Sequence, residues 1–151
     1  MMKRQFRSMI GFTLLTTVSF LIRSAHADPT VVEIFSIPDF PIAGIEAAQR
    51  AGAEITAYDL DAPKRWAKEM SAGLPGTLRE AQAVAKARIN QIGLERVKDS
   101  LKEAYAGHLK AFQYQLERYP AIVFDRGAAV VYGERDLNRA LDRYREMGRL
   151  K

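Results

Sequence analysis

Cysteine is absent from all 151 residues, and that absence removes several chemistries at once. No disulfide, no thiolate nucleophile and no cysteine-ligated metal can form. Histidine occurs twice, at His26 and His108, and tryptophan once, at Trp66. Proline is missing from the whole stretch between Gly76 and Tyr119, so nothing there forces a helix to stop. Long apolar runs are also scarce. The one that exists, Met9 to Ile22, is 14 residues long, short of the ~20 that span a bilayer as a helix.

That run belongs to a targeting segment. Lys3, Arg4 and Arg7 form a positive start, the apolar stretch follows, and Ala25-His26-Ala27 places small residues two apart. This is the pattern a signal peptidase reads, so residues 1–27 are expected to be a signal peptide cut between Ala27 and Asp28. An uncleaved anchor is the alternative. Export through this leader predicts a periplasmic protein. Four of the 23 basic residues and none of the 18 acidic ones lie in the leader, which leaves 19 against 18, a net of +1. The +5 of the whole chain therefore gives little electrostatic case for nucleic-acid binding, which needs a basic excess or stripe.

Residues 28–151 have the length of one domain, able to bury a core without a staple. Val31 to Phe35 (VVEIF) reads as a strand, and the prolines of Ser36 to Pro41 (SIPDFP) end it. Ile42 to Ala51 is a short helix stopped by Gly52, and Glu54 to Leu60 alternates like a second strand. Asp61 is placed to cap the next helix, with Pro63 in its first turn and the end near Ser71. Thr77-Leu78-Arg79-Glu80 has the form of a capping box. Helical spacing then runs through Leu78, Ala81, Ala85, Ile89 and Ile92, and through Val97, Leu101, Tyr105, Leu109, Phe112 and Leu116. Gly93 and Gly107 are the points where this stretch bends or divides.

Residues 119–133, YPAIVFDRGAAVVYG, hold two short β-rich runs joined by Asp125-Arg126-Gly127, the pattern of a hairpin. A final helix starts near Glu134 to Asp136 and shows Leu137, Ala140, Leu141 and Tyr144 on one face; its tail from Met147 is expected to fray. The order is β-α-β, an enlarged helical segment, then β-β-α. That is the order of a thioredoxin-like α/β fold, with a four-stranded mixed sheet whose first two strands are parallel through a right-handed crossover. An unrelated α+β sandwich has the same order. Thioredoxin-like enzymes work through a reactive cysteine, so here fold and usual chemistry part.

Candidate sites follow from that frame. Ser36 stands where the redox motif of such enzymes lies, but a serine needs an activating base, and His108, in a long helix, reads as a surface or packing residue. Asp59 and Asp61 are too few oxygens for a cation site alone and read as strand-end and capping groups. Lys86, Arg88, Arg96, Lys98, Lys102 and Lys110 mix with acids on one helical segment, the mark of a solvated face. No catalytic residue, cofactor or metal is expected, and the protein is read as non-enzymatic. The sharper feature is Tyr119-Pro120. A cis bond before a strand leaves neighbouring backbone groups able to pair with an extended peptide. Tyr119, Pro120, Ala121, Phe40 and Trp66 are the candidate peptide- or partner-binding residues.

Several blocks carry a resemblance: YDLDAP with Arg65 (Tyr58 to Arg65), MSAGLP (Met70 to Pro75), AYAGHLKAF from Ala104 leading into YPAIVFD, and VVYGERDLNRAL (Val130 to Leu141). Together they resemble a family of small exported proteins encoded by bacterial integrating conjugative elements. The resemblance implies a periplasmic accessory or assembly protein of a conjugative type IV secretion apparatus, acting through other proteins of that apparatus without redox chemistry. It supplies no catalytic residue. A general periplasmic peptide-binding chaperone is the alternative.

Overall fold

The computed structural model describes residues 30–149, so the expected leader, its cleavage point at Ala27 and Asp28, and the last two residues lie outside the described part. Strand β1 (Val31–Ser36) is followed by helix α1 (Ile45–Arg50), β2 (Glu54–Asp59), α2 (Ala62–Ser71), α3 (Leu78–Ile92), α4 (Leu94–Gln113), β3 (Ala121–Phe124), β4 (Ala129–Tyr132) and α5 (Leu137–Arg149). The strands form one sheet in the order β2-β1-β3-β4. β1 runs parallel to β2, pairing Val32 with Ile55 and Phe35 with Tyr58. It runs antiparallel to β3, which pairs antiparallel with β4. A mixed sheet with a β-α-β half and a hairpin half is thus the observed architecture.

Alternation along β1 sorts its side chains onto two faces. Val32 and Ile34 join Ile122, Phe124 and Val131 on one face, against Ala48 of α1 and Leu137, Ala140 and Leu141 of α5. Phe35 joins Ala121 and Val123 on the other, where Tyr58, Leu60, Ala111, Tyr114 and Leu116 pack. Phe35, Phe124, Ile34, Ile122 and Leu137 are fully buried, each worth roughly 1.5–3 kcal/mol relative to exposure.

Several local expectations are corrected. The first helix starts at Ile45, because Gly44 takes φ 84° and Ala43 bridges to Asp136 instead. Asp61 stands before α2 but makes no side-chain cap; its own N–H donates to Asp59 Oδ1 at 2.8 Å. Thr77 does not cap α3 either, since its hydroxyl donates to Glu80 Oε2 at 2.7 Å rather than accepting a backbone N–H. The long helical stretch divides at Gly93, whose φ of 95° a side chain rarely adopts, and not at Gly107. Gly107 lies inside α4 for a different reason: a Cβ there would come within 2.9 Å of Tyr58 Cβ.

The apolar spacing read along α4 does not by itself say which face is inward, and the structure divides it. Its buried residues are Val97, Ala104 and Gly107, whereas Leu101, Tyr105, Leu109 and Phe112 face solvent. α3 buries no residue fully, and Leu78 is mostly exposed. Small residues let α4 approach β2 closely, and close approach removes room for the larger ones.

Two carboxylates tie the ends of elements together. Asp125, in the turn after β3, accepts the Val31 N–H through Oδ1 at 2.9 Å and the Tyr144 hydroxyl through Oδ2 at 2.6 Å. Glu134 is buried ahead of α5 and accepts the N–H groups of Arg135 and Asp136 at 3.0 and 3.2 Å. Its other oxygen lies 3.2 Å from Arg143 and 3.7 Å from Arg139. Burial pushes its pKa up, but the backbone donors and the two arginines outweigh that and hold it below the ordinary value.

Candidate functional site

The site begins with an acid in a strand. Glu33 is the middle residue of VVEIF and is buried, a position where an unpaired carboxylate is costly. Three groups satisfy it. Tyr58 of β2 donates its hydroxyl to Oε1 at 3.3 Å, and Tyr114, just past α4, donates to Oε2. Lys110 places Nζ 3.7 Å from Oε1 and 5.2 Å over the Tyr114 ring. Burial first, then the acidic neighbour, raises the Tyr58 pKa above its ordinary value. Burial, the hydrogen bond to Glu33 and its charge push Tyr114 up to about 12. Both phenols therefore remain protonated donors at neutral pH.

This network was not read from the sequence. The available signal was an acid inside an otherwise apolar strand, which demands a buried partner. Lys110, expected on a solvated face, is half-buried and belongs to it.

The same aromatic residues support a cleft. Phe35 stacks on Tyr58 with ring centroids 4.9 Å apart and meets Tyr114 edge-on at 6.1 Å. Beside it lies a cleft of about 410 Å³ at the C-terminal end of β1. Phe35, Ile37, Leu60, Ala111 and Leu116 make its apolar lining, and Asp61, His108, Glu117, Arg118 and Tyr119 supply its polar and aromatic groups. Its volume is within the range of ligand pockets, and its lining mixes apolar surface with a few polar groups as such sites do.

Of the five residues singled out for partner binding, the structure brings four to this neighbourhood by different routes. Tyr119 lines the cleft and is half-exposed. The Tyr119-Pro120 bond is cis. The Pro120 carbonyl accepts the Gly133 N–H at 2.9 Å. Phe40 lies with its ring centroid 6.4 Å from that of Tyr119, and the Arg135 guanidinium sits 5.1 Å over it. Arg118 covers Tyr132 in the same way at 5.0 Å. Pro120 and Ala121 are buried, and Ala121 is paired within the sheet with Phe35 on one side and Tyr132 on the other. Trp66 stands apart on α2, with its indole N–H donating to Ser100 Oγ on α4 at 3.0 Å.

The other candidates also have places. Ser36 is half-buried at the end of β1, where its carbonyl accepts the Leu60 N–H at 2.8 Å. Asp59 pairs with Arg65 at 2.7 Å. His108 is exposed and lines the cleft. Among the described residues no cluster of three or more His, Cys, Asp or Glu side chains could hold a metal ion. No helix among them is long and apolar enough to cross a membrane.

Fold and cleft define a mixed α/β protein with an aromatic- and arginine-rimmed recess at one end of its sheet. Residues 32–148 match the model of the family described as Protein of unknown function (DUF1525), and the chain belongs to that family. Neither the curated proteins nor the solved structures contain a match to it.

Proposed function

We propose that this chain is a periplasmic accessory protein that helps assemble a conjugative type IV secretion apparatus encoded by an integrating conjugative element. It acts by holding a partner protein, not by redox or other bond-making chemistry. The observation that carries the binding reading is the cleft, with Arg118 and Tyr119 in its lining and the exposed Phe40–Arg135 pair next to Tyr119. Aromatic and arginine side chains dominate the energetics of protein interfaces, and the apolar lining beneath them suits one inserted side chain of an extended segment. The conjugative setting rests on the blocks from Tyr58 to Leu141 that resemble exported proteins of such elements. The fold is read as thioredoxin-like, and the sheet order with a parallel β1–β2 pair and an antiparallel hairpin supports that reading.

Transfer frequency from donor cells lacking this gene tests the proposal. Complementation by the full chain should restore transfer, and the same chain without residues 1–27 should not. Phe40→Ala with Tyr119→Ala should lower transfer and partner capture while the protein accumulates normally. Unchanged transfer on deletion sinks the conjugative role. Capture of many unfolded chains in place of one or two fixed partners would favour a general peptide-binding chaperone.

A further inference from the structure

α4 inverts the usual order of an amphipathic helix, with small residues toward the fold and large apolar ones toward solvent. Phe112 is 83 % exposed, Leu109 62 %, Leu94 56 %, Tyr105 45 % and Leu101 37 %. Single exposed leucines need no explanation, but these form a stripe. From Leu94 through Leu101 and Tyr105 to Phe112 the steps are seven, four and seven residues. Lys98 and His108 fill the gaps and complete the alternation of four and three that marks a coiled-coil seam. The stripe is about 27 Å of helix.

That spacing is symmetric about Glu103. Turned end for end, the helix sets Leu94 against Phe112, Leu101 against Tyr105, and Lys98 against His108. We propose that α4 pairs antiparallel with α4 of a second copy, forming a two-fold interface in which the same patch serves both sides. The five side chains leave roughly 500 Å² of apolar surface open per copy, near the upper end of what monomers tolerate. With a polar rim, that approaches the ~800 Å² per side of a stable interface. Lysine and imidazole facing each other make two symmetry-related polar layers, and polar layers fix register in such seams. The two Lys102 side chains meet near the axis, and each is neutralised by its own Asp99 at 3.2 Å. The proposal stands on α4 and does not need the cleft to bind anything.

Sedimentation equilibrium of the mature protein, purified from cells producing the full chain, tests it. The native protein should sediment as two copies at tens of micromolar. Leu101→Glu alone and Tyr105→Lys alone should each weaken the dimer at least about 100-fold, with circular dichroism and unfolding midpoint close to native because both side chains are substantially exposed. The double variant should recover the dimer, since position 101 of each copy faces position 105 of the other. A native protein that remains monomeric at hundreds of micromolar overturns the proposal. So does a dimer indifferent to Leu101→Glu, or a double variant that stays monomeric. Loss of the dimer in Phe40→Ala or Tyr119→Ala would place the contact at the cleft and overturn it equally.

Discussion

Tyr114→Phe isolates the strongest polar link between α4 and the sheet. The ring remains, so the edge contact with Phe35 is kept, and only the hydroxyl that donates to Glu33 is lost. A hydrogen bond to a buried carboxylate is worth about 1.5–3 kcal/mol. A second route to the magnitude uses the phenol itself. Its pKa of about 12 against the ordinary 10.0 corresponds to at most ~2.7 kcal/mol, and partial solvent contact lowers that to about 1–2 kcal/mol. Both routes place the loss near 2 kcal/mol at neutral pH. The sign of its pH dependence follows. A group whose pKa is raised by folding stabilises fully below its unfolded pKa, near 10, and loses that contribution as pH climbs through 12. Urea unfolding of native and variant protein from neutral pH to about pH 11 should show the gap closing above about pH 10. A gap under ~0.5 kcal/mol at pH 7, or one that stays constant across the alkaline range, would refute the assigned role of Glu33.

Other substitutions probe the remaining supports, each by chemical unfolding. Gly107→Ala gains about 1 kcal/mol of helix propensity but drives a Cβ to 2.9 Å from Tyr58, which costs ~1–3 kcal/mol in a packed site; a small net loss is expected, Gly107→Leu should lose several times more, and a stabilised Gly107→Ala would contradict the close approach. Asp125→Ala removes two hydrogen bonds and should cost about 2–3 kcal/mol, whereas Tyr144→Phe keeps the stack on Phe124, 4.6 Å between centroids, and should cost only ~1 kcal/mol; equal losses would show that the Val31 N–H does not need Asp125. Glu134→Gln should cost about 1–2 kcal/mol at neutral pH. Its folded pKa is lowered, so this contribution is present above the ordinary carboxylate pKa and disappears as pH falls through the folded value; a difference that persists in acid would count against its ion pairs.

Much of the fold was legible because β-rich runs and turn residues agree with each other. VVEIF, EITAYDL and AIVF–DRG–AVVY place all four strands to within a residue or two, since alternation, β-branching and Gly-containing turns report the same local geometry. The short helix after SIPDFP was read too long at its start, where Gly44 in a left-handed turn lets Ala43 pair with the segment before α5. That contact is 93 residues away in sequence, and no local pattern encodes it. The cleft was half legible: Tyr119 and Phe40 stood out as aromatic residues flanking prolines, while Leu60, Ala111 and Leu116 reach it only through tertiary packing. Glu33 was hidden by its neighbours, since one acid does not break an apolar strand pattern.

Helical periodicity marks the apolar positions of α4 but does not tell which of them turn inward, and the reason is physical. Leu101, Tyr105, Leu109 and Phe112 make the more hydrophobic stripe, so a count of apolar area turns them inward. Yet the inward position is limited by distance, not by hydrophobicity. Tyr58 and Tyr114 must both reach Glu33, and Gly107 must clear the Tyr58 Cβ. Only Val97, Ala104, Gly107 and Ala111 are small enough to let the helix sit that near. Rotating the leucines inward would lift α4 off β2, take Tyr114 and Lys110 away from the buried Glu33 carboxylate and open the wall of the cleft. The penalty for one unsatisfied buried charge exceeds what a few half-buried leucines return. The helix therefore keeps its polar link to the sheet, and its apolar stripe is left outward where only another molecule can cover it.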